Sequence, residues 1–246
     1  MFNKILQALC GTILLASWSA CAAVTVDINS ERFQFDSNPR LNEVLAPVAL
    51  QQKWYWPGAA LFRLDNKEPY LLRQKVLEQI VKLKLYYHSD KELLTTLLSI
   101  EQQVKSWQLA KRINQQVDYD LAKVLPQHNP RFEDGRYLIQ LSLRPTEVYV
   151  FGAIESPVVL PHQGATPIAE YLALIQLPAA ADTDQITVLQ PNGYILHAGS
   201  EYWNKDNTEA MPGAQLFIPF KTALLNSKFE RLNQLLSELA IHRVLP

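Results

Sequence analysis

Cysteine is nearly missing from this sequence: the 246 residues hold two, Cys10 and Cys21, both close to the start. If the leading segment is removed, disulfide and thiolate chemistry leave with it. A basic excess is missing as well. Lys and Arg total 23 against 24 Asp and Glu, a formal net charge of −1. Such a balance cannot neutralise a run of phosphates, so nucleic acid is excluded as an expected partner. Beyond residue 23 no apolar run reaches the about 20 residues of a helical bilayer span. Catalytic signatures are also absent. There is no Gly-x-Ser-x-Gly, no Gly-rich phosphate loop and no His-x-x-x-His pair. The five histidines, His88, His128, His162, His197 and His242, are scattered without metal-ligand spacing. No cofactor is expected.

What the sequence does have begins with an export signal. Lys4 supplies a positive charge, Ile5 to Trp18 form an apolar run, and Ser19-Ala20-Cys21-Ala22-Ala23 supplies small residues. This is the pattern of a secretory peptide cleaved after Ala22 or Ala23. An uncleaved anchor is the alternative, with an apolar stretch that is short for a bilayer. A lipid-modified Cys21 is another, since Ser19-Ala20-Cys21 resembles the end of a lipobox with Trp18 where Leu is usual. Residues 24–246 then suffice for one large domain or two small ones.

Strand signals open the remainder. Val24–Ile28 and Arg32–Phe35 alternate at period two, as a hairpin would. Asn38-Pro39 reads as a helix start, with Leu41, Val44 and Leu45 inward. Trp54-Tyr55-Trp56-Pro57-Gly58 follows. In an extended backbone Trp54 and Trp56 share one face, either as a plug over the core or as a sugar-stacking platform. From residue 66 to about 114 glycine is absent, and apolar residues step by three or four. Leu72, Val76, Ile80 and Leu83 form one stripe; Leu93, Leu97, Ile100 and Val104 form another. With Ser89 and Glu92 as a capping box between them, they predict an antiparallel helical hairpin. Arg112 is expected to end its second helix. There it complements the helix dipole or grips a carboxylate.

Gln116–Leu121 and Gly135–Leu141 read as strands, with a boundary near Leu143-Arg144-Pro145. Asp118 and Asp120 would share one face of the first, with Glu133 and Asp134 nearby. Paired acids of this kind can serve glycoside chemistry, hold calcium, or stand as solvated side chains beside turns. The second half repeats the outline of the first. Strands at Glu147–Gly152 and Ser156–Leu160 precede a helix started by Thr166-Pro167, and strands at Ile186–Leu189, Tyr194–His197 and Gln215–Ile218 follow. Two copies of one small α+β unit are expected, the hairpin being an insertion in the first. Residues Ala223 to Leu245 form an amphipathic helix with Leu225, Phe229, Leu232, Leu236 and Leu239 on one face.

At this point the landmarks resemble the GfcC (YjbG-like) capsule-biosynthesis family. Tyr55-Trp56-Pro57-Gly58-Ala59 is similar to that family's first motif. Trp203-Asn204-Lys205 followed by Met211-Pro212-Gly213-Ala214-Gln215-Leu216 is similar to its second. Arg144-Pro145 before a strand ending in Phe151-Gly152-Ala153 also fits. The resemblance implies an α+β fold of two β-grasp domains, ubiquitin-like and related to the SLBB domains of outer-membrane polysaccharide exporters. It divides the chain into a signal peptide at 1–23, a first β-grasp domain at 24–143 with the hairpin at about 66–114, a second at 144–221, and a C-terminal amphipathic helix at 222–246. It implies a periplasmic protein of capsule or exopolysaccharide biosynthesis that is not an enzyme. An outer-membrane polysaccharide export protein or an acidic polysaccharide would be its partner. Arg112 falls on an arginine at the end of the family's helical insertion, followed here by Ile113-Asn114 in place of Leu-Pro. Arg112, Trp54, Trp56, Trp203 and Asn204 are therefore the candidate binding residues. A carbohydrate-binding module using the tryptophans and Arg112, and a polysaccharide-modifying enzyme using Asp118, Asp120, Glu133 or Asp134, are the competing expectations.

Overall fold

The computed structural model describes residues 24–222 and 228–245. The leader with Cys10 and Cys21, and Leu225 of the last apolar stripe, lie outside the described residues.

Strands β1 (Val24–Ile28) and β2 (Glu31–Phe35) pair antiparallel around Asn29-Ser30. Asn29 turns the corner at a φ of 52°, which asparagine tolerates better than most residues. Its side-chain oxygen accepts the Leu141 amide at 2.9 Å. Three more strands, β3 (Ala60–Arg63), β4 (Lys111–Ile113) and β5 (Gly135–Gln140), complete a sheet of order β2-β1-β5-β3-β4. The pair β1 and β5 is parallel, and the other pairs are antiparallel. Period-two alternation buries Val24, Val26 and Ile28 under helix α1 (Leu41–Leu45), whose Leu41, Val44 and Leu45 are buried as expected. The start of α1 is shifted from the expectation. Arg40 has the extended backbone of a cap, and its amide donates to Glu43 at 2.7 Å. Asn38 Nδ2 instead donates to Phe132 O and Asp134 Oδ1, both at 2.9 Å, which ties the incoming chain to the segment before β5.

The second sheet contains β6 (Glu147–Gly152), β7 (Val158–Pro161), β8 (Gln185–Leu189), β9 (Ile195–Gly199) and β10 (Gln215–Ile218). Its order, β7-β6-β10-β8-β9, is the connectivity of the first sheet, again with a parallel first and last strand at the centre. A short helix, designated α5 (Ile168–Leu172), occupies the place of α1. Its cap is Pro167, one residue beyond the expected Thr166, whose hydroxyl bonds to Gly164 O.

Between β3 and β4 the chain makes the helical hairpin, α2 (Glu68–Tyr86) and α3 (Lys91–Ser106). The cap of α3 is Asp90, which accepts the Leu93 amide at 3.1 Å, rather than Ser89. Glu92, expected to close a capping box, accepts the Ala179 amide at 3.3 Å. The hairpin belongs to the first half by sequence, but it is buried in the core of the second. Val76, Ile80, Leu83, Leu97, Ile100 and Val104 share one hydrophobic cluster with Phe151, Phe217 and Leu236. Trp107 meets Phe151 edge-on, with centroids 5.3 Å apart. Buried Gln103 reaches the same sheet and accepts the Gly152 amide at 3.2 Å. The apolar face of α6 (Lys228–Ala240) closes this core: Phe229, Leu232, Leu236 and Leu239 are buried, and α6 lies along α2.

Two further expectations need correction. The helix over Ala223 to Leu245 stops at Ala240, and the tail beyond it turns back as a strand-like strap. Ala110 N donates to His242 O at 3.0 Å and Val244 N to Gln108 O at 2.9 Å. Gln116–Leu121 is not a strand. It contains the start of α4 (Tyr119–Val124), because Asp118 accepts the Leu121 amide at 3.0 Å and caps that helix. Asp118→Ala is expected to lower stability by about 1 kcal/mol, read as a lower urea midpoint with an unchanged slope. No helix among the described residues is long and apolar enough to cross a membrane.

Candidate functional site

The two sheets meet along a cleft of about 340 Å³, lined from both halves of the chain and by the tail. Arg112 enters it from β4 of the first sheet, not from a helix end as expected; α3 has stopped at Ser106 and β4 intervenes. The Arg112 backbone amide donates to His242 Nδ1 at 3.1 Å, so the strap fixes the strand that carries it. The guanidinium lies 5.6 Å from the centroid of Phe62, its neighbour across β3, and Nη2 donates to Pro191 O in the turn between β8 and β9. Gly193 gives that turn its φ of 93°, a conformation strained for other residues, and sits in contact range of the guanidinium. Burial lowers the Arg112 pKa to about 10, so the group stays cationic at neutral pH.

Two more arginines line the same cleft. Arg144 lies over the ring of Tyr55 at 5.5 Å, on the segment joining the halves. Arg243, on the strap, lies over Trp107 at 5.1 Å and donates to Gln215 Oε1 at 3.3 Å. Each of the three cations is thus held on an aromatic face, an arrangement worth about 0.5–2 kcal/mol depending on solvation. Among the described residues none of the three has a carboxylate at ion-pair distance; the six ion pairs lie elsewhere. One acid, Glu147, shares the lining.

His242 adds a pH dependence. Burial, with help from Lys111 and Arg112, lowers its pKa from 6.5 to about 4. Between those values the unfolded chain binds a proton there that the folded chain does not, so this contribution to stability is full at neutral pH and falls as pH drops from about 6.5 to about 4. Replacing His242 with glutamine should flatten that part of the acid slope in urea titrations at pH 7, 5.5 and 4.5. An unchanged slope would remove His242 from the account.

The other candidates do not converge on Arg112. Trp54 and Trp56 are half-buried against the first core rather than displayed on one face, because a 3-10 turn starts at Trp56. Trp54 Nε1 donates to Val48 O at 2.8 Å. Trp203 is 72% exposed and sits in the loop after β9, outside the cleft. Asn204 pins that loop: its Oδ1 accepts Glu201 N at 2.9 Å and its Nδ2 donates to Asp184 O at 2.7 Å. The acidic quartet is dispersed. Asp118 caps α4, and exposed Asp120 lies in the first turn of that helix instead of beside Asp118 on a strand. Glu133 accepts from Arg63 at 3.3 Å, and Asp134 accepts from Asn38. No group of three or more metal-ligating side chains stands together among the described residues. In the sequence Arg144 stands at a domain boundary and Arg243 on an expected helix; nothing local tells that they share a cleft with Arg112.

Comparison with known proteins agrees with the motifs. A family model described as capsule biosynthesis GfcC, N-terminal, matches residues 19–144, and one described as capsule biosynthesis GfcC C-terminal matches residues 156–245. YjbG of Escherichia coli (strain K12) is 25% identical over 236 residues, covering 95% of each chain. Matching this family across nearly its whole length, the chain belongs to the GfcC capsule-biosynthesis family.

Proposed function

We propose that the chain is a periplasmic accessory protein of capsule or exopolysaccharide export, acting by binding an outer-membrane polysaccharide export protein or the polymer itself and not as an enzyme. The observation that carries this reading is the cleft between two like-connected sheets, with three arginines and no ion-pair partner for them among the described residues. Electropositive clefts of this kind are suited to capture an anionic partner. The shared strand order supports two β-grasp units of the SLBB-related kind, with a last strand inserted between the first and third. The export signal at 1–23 supports the compartment. Family membership supplies the pathway.

The test is a strain lacking this chain, together with affinity capture from envelope extracts. Reduced surface polysaccharide and recovery of export components are expected. Normal surface polymer with no export component recovered would contradict the proposal. A carbohydrate-binding module built on aromatic stacking is a second reading, favoured by the exposed ring of Trp203. It predicts that Trp203→Ala abolishes the fluorescence change on adding polymer fragments.

A further inference from the structure

We infer that the cleft between the sheets is a subsite for one acidic sugar residue, whose carboxylate is held by Arg112 and Arg144 with Arg243 beside them. This deepens the proposed binding role and rests on it. The cation set comes first. Arg112, Arg144 and Arg243 reach one lining from β4, the connecting segment and the strap. An anion entering this lining is attracted to all three cations, the more strongly as water is excluded. Their charge is not answered by a carboxylate at ion-pair distance among the described residues. The arrangement is also preorganised. Phe62, Tyr55 and Trp107 support the three guanidinium planes, and Pro191 O and Gln215 Oε1 orient two of them. A planar guanidinium presents paired donors that match a carboxylate's two oxygens, which an ammonium cannot do.

The remaining lining suits a sugar ring more than an inorganic ion. A volume of about 340 Å³ is far larger than a lone phosphate or sulfate requires. It stands at the small end of ligand sites, which run from about 300 to 1,000 Å³. Leu143, Pro145, Pro191 and Leu245 offer apolar surface to ring C–H groups. Ser142, Thr146 and Tyr149 are hydroxyl-bearing residues of the same lining. The cleft is open, so a neighbouring sugar of the same polymer can continue outward.

The experiment is a titration of the purified chain with digalacturonate, followed by calorimetry. The neutral disaccharide lactose and inorganic phosphate serve as comparison ligands. Digalacturonate is expected to bind, lactose to bind at least about tenfold more weakly, and added salt to weaken the acidic ligand alone. Arg112→Gln and Arg144→Gln should each cost about tenfold or more, and Arg112→Lys should recover only part of the loss. Arg144 is exposed, so its variant reports on binding even if Arg112→Gln disturbs the fold. Equal binding of lactose, or no effect of Arg144→Gln, would overturn the anionic subsite while leaving carbohydrate capture in place. Phosphate binding as tightly as digalacturonate would overturn the sugar assignment. Absence of binding by any of the three overturns the inference alone, since envelope capture judges the accessory role separately.

Discussion

A Phe151→Ala chain is expected to lose about 3–5 kcal/mol of stability, and to lose it from the second sheet and the helical hairpin together. Phe151 is fully buried, stacked on Phe217 with centroids 5.1 Å apart and met edge-on by Trp107 from the end of the hairpin. Its removal leaves a cavity at the contact that joins α3 to β6. The hairpin is encoded between two strands of the first sheet, yet its apolar stripe is counted in the second core. Native-state hydrogen exchange can separate these affiliations, since cooperative units open together. Amides of Leu97–Val104 should lose protection in step with β6 and β10, while β1 and β5 retain the parent's values. Loss of hairpin protection with the first sheet, or none in the hairpin, would contradict this architecture.

Gly152→Ala is expected to be severely destabilising for a single added methyl. Gly152 ends β6 at a φ of 117°, where L side chains are strained, and a Cβ there would stand 2.2 Å from Ile218 O. That oxygen belongs to β10, the parallel partner at the centre of the sheet. Backbone strain of about 1–3 kcal/mol and overpacking of about 1–3 kcal/mol combine here. The clash is with backbone, so no rotamer change relieves it. Because Gln103 also bonds the Gly152 amide at 3.2 Å, a shift of this strand end would be transmitted to the hairpin. The expected outcome is a large fall in the urea midpoint and in soluble yield. A midpoint equal to the parent's would show that β6 and β10 do not approach as described.

Local alternation made the sheets legible. Val24–Ile28, Glu147–Gly152 and Gln215–Ile218 present period-two or mostly apolar runs, and each is a strand. The two helices of the hairpin were legible for the same reason at a period of three to four. What the pattern does not contain is the partner of a stripe: Val76, Ile80 and Leu83 announce burial, not burial against the second core. Short capped helices were the other difficulty. Helix Tyr119–Val124 is capped by one side-chain bond from Asp118, and the overlapping Gln116–Leu121 alternates well enough to pass for a strand. The site was half legible. Arg112 stands out in the sequence, but its setting on β4 under the Pro191-Asn192-Gly193 turn depends on docking of the two halves. Arg243 shares its lining because the strap beyond α6 runs back along residues 108–110, and Arg144 because the segment joining the halves borders the cleft. Of the two readings open for Trp54 and Trp56, a plug over the core or a stacking platform, their packing against the first core around the 3-10 turn at Trp56 fits the plug.

The central claim is that the cleft captures a component of polysaccharide export in the envelope. A photo-crosslinking side chain placed at Glu147, an exposed residue of the cleft lining, tests it in living cells. Illumination should yield adducts containing the export protein or the polymer, and Arg112→Gln in the same chain should deplete them. Adducts unaffected by Arg112→Gln, or none from a chain that is present and folded, would contradict the claim.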